Sequence, residues 1–277
     1  MSIAVIVTTY NRPDALRAVF QGYRAQRDRD FTLVIADDGS REDTARDVAR
    51  FAASAPFEVR HVWQEDRGFR AAAVRNRALA ATWADYVVFS DGDCIPLAGF
   101  VGGHRRLAEK GQFVVGNRVL LSDGLTSRVL ENGLPVQAWG AFAWSKARFR
   151  GEVNRLSPLF PLPLPSFVRK WAWTRWEGAM TCNLAAWRED LVAVNGLDES
   201  YSGWGLEDSD LVIRLLRSGL RRKSARFAAP VLHLWHREQD RAALTENRRR
   251  LEAILMSDSI RAVRGLDRYL DESSPPS

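Results

Sequence analysis

The sequence predicts a doubly wound α/β fold with a mostly parallel sheet and helices on both faces. Three observations carry this. Short apolar runs alternate with helical patterns through the first third of the chain. Three runs end in polar clusters, Thr8-Thr9-Tyr10, Asp37-Asp38 and Asp91-Gly92-Asp93, and ligands of such sheets bind beyond the carboxyl ends of the strands. The first run lacks a following Gly-x-Gly-x-x-Gly, which argues against a dinucleotide-binding dehydrogenase.

Ile3 to Val7 reads as a buried strand, followed by a helix that has Pro13 near its first turn and Leu16, Val19, Phe20 and Tyr23 on one stripe. Phe31 to Ala36 is a second strand, Thr44 to Phe51 a helix and Phe57 to Val62 a third strand. Ala71 to Trp83 is Ala-rich and helical, and Asp85 to Phe89 is a fourth strand. Residues 116 to 150 mix Gly, Arg and aromatics without clear period, and Pro158, Pro161, Pro163 and Pro165 exclude regular helix in the next stretch. Leu211, Val212, Leu215 and Leu216 mark a helix opening near Glu207. The tail from about Asp240 to Leu270 reads as helical, and Ser273 to Ser277 as frayed.

The 277 residues carry 46% hydrophobic side chains and a formal net charge of +6, which excludes a disordered chain and fits an anionic ligand or surface. Cys94 and Cys182 form no Cys-x-x-Cys pair, so neither a zinc site nor a disulfide framework is expected, and a reducing cytoplasm suits them. No signal peptide or run of about 18 apolar residues is evident.

Two acidic clusters carry the chemistry. Asp91-Gly92-Asp93 ends a buried strand, where paired carboxylates suit a divalent cation and a phosphate substrate. Gly203-Trp204-Gly205-Leu206-Glu207-Asp208 places two acids behind a turn with an aromatic wall, where one can serve as a base; those acids could equally charge the helix N-terminus. Asp37 could instead cap its own turn, and Arg75 could form a surface ion pair. On strand alternation His233 and His236 point to opposite sides.

Val5-Ile6-Val7-Thr8-Thr9-Tyr10-Asn11-Arg12, Ala36-Asp37-Asp38-Gly39-Ser40 and Asp91-Gly92-Asp93 together resemble family 2 glycosyltransferases of the GT-A fold, the nucleotide-diphospho-sugar transferase fold. Gln64 to Phe69 with Ala73-Val74-Arg75-Asn76, and the stretch Val231 to Glu238, are similar to bacterial chondroitin polymerase. Gly203 to Asp208 resembles the acceptor-side motif of galactosyltransferases. The resemblance implies inverting transfer of a sugar from a UDP-sugar to a hydroxyl of a glycan or glycolipid acceptor, with Mn2+ or Mg2+, in bacterial polysaccharide or lipopolysaccharide biosynthesis. It implies Asp93 and His236 as metal ligands, with Asp91 on the ribose or a metal-bound water. Asp38 would accept from the uracil N–H, and Arg75 would contact the nucleotide. Thr8, Thr9, Tyr10, Arg12, Gly92 and Trp204 would complete the donor pocket. Asp208 is the implied base, with Glu207 on substrate hydroxyls.

The expected organisation is one GT-A domain over 1–238, with a nucleotide-sugar half (1–115) and an acceptor half (116–238), and a helical tail over 239–277. Rival readings are a nucleotidyltransferase acting on a sugar phosphate, which would open on a Gly-rich phosphate loop, and a non-catalytic sugar-binding protein. No nucleic acid partner is expected. Phe167 to Trp176, rich in Trp and Arg, suggests peripheral contact with the inner face of the cell membrane.

Overall fold

The structure, a computed structural model, describes residues 1–237 and 241–270. Glu238 and Asp240, and the tail end Ser273 to Ser277, lie outside the described residues. The first part alternates as expected: β1 (Ile3–Thr9), α1 (Pro13–Arg24), β2 (Thr32–Asp37), α2 (Glu42–Ala52), β3 (Glu58–Trp63), α3 (Ala71–Ala80) and β4 (Tyr86–Asp91). Then come β5 (Cys94–Pro96), α4 (Phe100–Leu107), β6 (Gln112–Val115), β7 (Arg118–Leu120), α5 (Asp123–Asn132), α6 (Ala141–Phe149) and α7 (Ser166–Arg169). The remainder is β8 (Asn183–Trp187), α8 (Arg188–Ala193), α9 (Glu207–Arg217), β9 (Arg221–Ser224), β10 (Val231–His233), α10 (Leu244–Leu255) and α11 (Asp267–Leu270).

The main sheet runs β3-β2-β1-β4-β8-β6-β9, parallel except for β8, which pairs antiparallel with both neighbours. Its central strands β1, β2, β4 and β8 are buried and apolar on both sides because helices cover both faces, while the edge strands β3 and β9 are polar. Val5, Val7, Leu33 and Ile35 pack toward α1 and α2, while Ala4, Ile6, Val34 and Phe89 pack toward α3 and α9. A second sheet, β5-β10-β7, sits beyond the carboxyl end of β4. It joins the residues after the first acidic cluster to those before His236, pairing Cys94 with His233.

The structure departs from expectation in three places. Residues 116–150 hold a strand and two helices. Ser122 caps α5, accepting from the Leu125 N–H, and Gly133 closes it at φ 61°. Helix α6 escapes a periodicity reading because it is apolar on two opposite sides, Trp144 and Ala147 inward, Phe142 and Phe149 outward. Helix α3 stops at Ala80, before Trp83. The tail is not one helix: α10 ends at Leu255, and Gly265 lies so close to the Asn195 backbone that an added Cβ would sit 2.0 Å from its carbonyl oxygen.

Candidate active site

The carboxyl ends of β1 and β4, the turn before α9 and the strap after β10 surround a cavity of about 690 Å³. That is ample for a nucleotide-sized ligand. Thr8, Thr9, Tyr10, Arg12, Asp38, Arg75, Asp91, Gly92, Asp93, Trp204, Glu207, Asp208 and His236 all line it. Stretches more than a hundred residues apart thus form one surface.

Arg75 ties the two acidic clusters together. Its place on α3 sends the side chain under the strand ends, where it is 5% exposed. Nε donates to Thr8 Oγ1 (3.0 Å), Nη2 to Asp91 Oδ1 (3.0 Å) and Nη1 to Glu207 Oε1 (3.1 Å). Burial opposes the guanidinium charge, but Asp91, Glu207 and Asp208 outweigh it and hold the pKa above its usual value. The surface-pair alternative for Arg75 therefore does not apply.

The carboxylates respond differently. Burial pushes Asp91 upward, and Arg75 opposes the shift. Asp208 is pushed up to about 7, first by burial and then by the Glu207 charge. Its Oδ1 accepts from the Ser209 N–H at 2.8 Å. Glu207 Oε2 is buried and has no hydrogen-bond partner among the described residues, an acceptor left open beside the cavity.

The turn carrying these acids is strained. Gly203, Gly205 and Leu206 have φ of 66°, 103° and 78°, and Leu206 has no glycine's freedom there. Asn247 of α10 holds the turn, its Nδ2 donating to Ser202 O (2.9 Å) and Gly205 O (3.0 Å). Sequence reading missed Asn247, because a polar residue on a polar helix carries no signal of burial. Trp204 stands at the rim with the Arg241 guanidinium 5.3 Å from its ring centroid.

On the opposite wall, Asp38 is 3% exposed. Its Oδ1 accepts from Gln64 Nε2 (2.6 Å) and its Oδ2 from the Arg70 N–H (2.7 Å). Burial still raises its pKa. Asp37 takes the structural role: Oδ1 accepts from the Ser40 N–H, and Oδ2 sits 3.0 Å from His61 Nε2. Tyr10 is half-exposed, and its hydroxyl donates to Asp66. Arg12 pairs with Asp14 at 2.9 Å. Gly92 lets the acidic turn lie against β1, since an added Cβ would stand 3.0 Å from Thr9.

His233 and His236 do not diverge, contrary to the alternation reading. Strand β10 ends at His233; then the Leu234 N–H bonds Asp93 O, the Trp235 N–H bonds Thr126, and the chain curls. Both rings turn to one carboxylate, His233 Nε2 at 3.7 Å and His236 Nε2 at 3.3 Å from Asp93 Oδ2. His236 Nδ1 lies 2.7 Å from the Arg237 carbonyl, which accepts from it, so in the neutral ring Nε2 is the lone pair. A lone pair aimed at a carboxylate oxygen suits a shared cation, so these residues fit a divalent metal. Cys94 and Cys182 are free, buried thiols in the same neighbourhood.

The profile of glycosyl transferase family 2 matches residues 4–160, and that described as the N-terminal domain of galactosyltransferase matches residues 165–237. Hyaluronan synthase of Pasteurella multocida is 26% identical over 245 residues, and chondroitin synthase of Escherichia coli 25% over 243. Those alignments span 79% and 78% of this chain but 23% and 32% of the relatives, so the chain spans about a quarter to a third of their length. S. aureus TarS 1-349 in complex with UDP superposes with a TM-score of 0.60 at 14% identity, covering 98% of this chain and 70% of TarS 1-349. The mannosyltransferase PcManGT from Pyrobaculum calidifontis, in complex with GDP-Man and Mn2+, gives 0.56 at 21%, covering 90% and 60%. The fold is GT-A.

Proposed function

The chain belongs to glycosyl transferase family 2, and from that premise we propose that it is a metal-dependent, inverting transferase moving a sugar from a UDP-sugar to a hydroxyl of a glycan or glycolipid. It is a glycosyltransferase; donor, metal and acceptor are our reading. The observation that carries the reading is Arg75 bonded at once to Asp91 and Glu207, which joins a diphosphate site to an acceptor site across one cavity.

Each residue then has a task. Asp38 lines the cavity, and its carboxylate can accept from the N3–H of uracil. Tyr10 offers its ring to the base. Asp93 and His236, with Asp91 close by, would hold Mn2+ or Mg2+; such an ion neutralises charge on the departing diphosphate. Arg75 adds its own positive charge beside Asp91. Asp208, proton-accepting near neutral pH, takes the acceptor hydroxyl proton as that oxygen attacks the anomeric carbon from the face opposite the diphosphate. Glu207 Oε2 orients a sugar hydroxyl. Residues 1–115 would serve the donor and 116–238 the acceptor. We place the reaction in bacterial polysaccharide or lipopolysaccharide assembly, at the inner face of the membrane.

The test is a screen of UDP- and GDP-sugars for hydrolysis with and without Mn2+, paired with calorimetry. UDP should bind only weakly without a divalent cation, and Asp93→Ala and His236→Ala should each remove the metal-dependent gain. Equal UDP affinity with and without Mn2+ in the parent and both variants would refute the metal assignment.

A further inference from the structure

Helix α6 has two apolar faces and only one of them is covered. Trp144 and Ala147 are buried, at 3% and 2% exposure. Phe142 and Phe149, two turns apart, share the opposite stripe at 85% and 94% exposure. An exposed apolar stripe on a helix that already buries its other face calls for a partner. Packing does not account for it, because the stripe points directly away from the core residues.

The charge around the stripe says which partner. Lys146 lies between the two phenylalanines on the same side of the helix, and Arg148 and Arg150 follow. Residues 133–151 contain no Asp or Glu at all, and none occurs from 153 to 176. That second stretch holds two further highly exposed aromatics, Phe167 at 75% and Trp171 at 89%. A second copy of the chain would set like charges against each other with no acid to answer them. A bilayer with anionic headgroups answers both features: phenylalanine enters the headgroup–acyl boundary while Lys and Arg stay at the phosphates. Among the described residues no helix is long and apolar enough to cross a membrane, so the mode is in-plane contact.

We propose that α6 is an in-plane anchor that seats this protein on an anionic bilayer. The helix returns directly to the cavity rim: Val153 bridges Leu121, Asn154 exchanges hydrogen bonds with Leu120, and both leucines line the cavity. Docking through α6 would keep that rim within a few residues of the lipid surface, which favours a lipid-anchored acceptor. That last step rests on the transferase reading above; the anchor itself does not.

The experiment is flotation with vesicles of phosphatidylcholine alone, and of phosphatidylcholine and phosphatidylglycerol in equal parts, at low and high salt. The parent should float with the anionic vesicles only and less so as salt rises. The F142S/F149S double variant should lose on the order of tenfold or more in partitioning. UDP affinity, measured on the same samples, should be unchanged and reports that the variant is folded. Undiminished flotation of the variant, equal flotation with neutral vesicles, or a parent that fails to float would each overturn the proposal. So would a parent dimer that the double substitution splits, since the stripe would then be a self-interface. Flotation without UDP binding in the parent would instead count against the transferase reading alone.

Discussion

The two walls of the cavity are built in opposite ways. The wall we assign to the donor is made of strand ends: Thr8, Asp38 and Asp91 continue buried parallel strands or their turns, and each has a fixed partner in Arg75, Gln64 or Arg70. The wall we assign to the acceptor is a turn in left-handed conformations, clamped from outside by Asn247, with a raised carboxyl and an open acceptor atom. A wall of bonded carboxylates holds a ligand in one pose; a strained wall with a raised carboxyl and an open acceptor atom is poised for chemistry. Arg75 is bonded to both, through Thr8 and Asp91 on one side and Glu207 on the other.

The largest expected effect separates the walls outright. Asp208→Asn should lower turnover by about 10²–10⁴-fold, the range for losing a general base, while UDP-sugar affinity holds. Glu207→Gln should alter affinity and turnover together. The parent's kcat/KM should climb through an apparent pKa of about 7 as Asp208 ionises, and that limb should be absent in the variant. Stability should move the other way. The folded pKa of Asp208 lies above its unfolded value near about 3.9, so the folded state binds the extra proton and stability falls as pH rises from about 4 to about 7. Asp208→Asn removes that loss, so urea unfolding at pH 8 should find the variant at least as stable as the parent. Normal turnover in Asp208→Asn would mean another group takes the proton.

Removing the link should damage both walls. Arg75→Ala leaves Asp91 and Glu207 without their shared cation, a loss of about 3–5 kcal/mol for breaking a buried ion pair. The cost should shrink at acid pH, because burial already pushes Asp91 upward and without Arg75 its carboxyl keeps its proton to still higher pH, so stability is lost as pH rises through that raised pKa. Denaturant melts at pH 5 and pH 8 read this directly. A pH-independent loss would mean that Arg75 matters for packing, not charge.

How far the sequence could be read follows the same division. Strands β1, β2 and β4 each end in a visible polar cluster, because a buried strand must be apolar until it reaches the ligand. Helices α1 and α9 declare themselves by one apolar stripe. Helix α6 does not, because its outward phenylalanines erase the stripe that Trp144 and Ala147 would make. His233 was misplaced because alternation assumes that the strand continues, and it ends at that residue. The meeting of Asp93 with both histidines depends on β5 pairing with β10, a contact across about half of the chain that no local pattern encodes. Asn247 was invisible for the same reason: what it holds is fixed by tertiary packing.

The smallest expected effect tests whether the acceptor wall is really held from outside. Asn247 is fully buried, and its amide satisfies two carbonyls of the turn. Asn247→Ala leaves both carbonyls unpaired, at about 1–3 kcal/mol of stability. The turn should then relax away from its left-handed geometry, shifting Glu207 and Asp208 while the strand ends stay where they are. Transfer should fall about tenfold or more, since misplacing a reacting group by an ångström is enough for that. UDP affinity should stay within about twofold, because Asp38, Asp91 and Arg75 reach the donor from the β-strand side and from α3, and mutational effects at separated sites are largely independent. Calorimetry with UDP and a transfer assay on the same protein decide it. Equal losses in both would show that the walls move as one body through Arg75, and the division between a fixed donor side and a strained acceptor side would have to be given up.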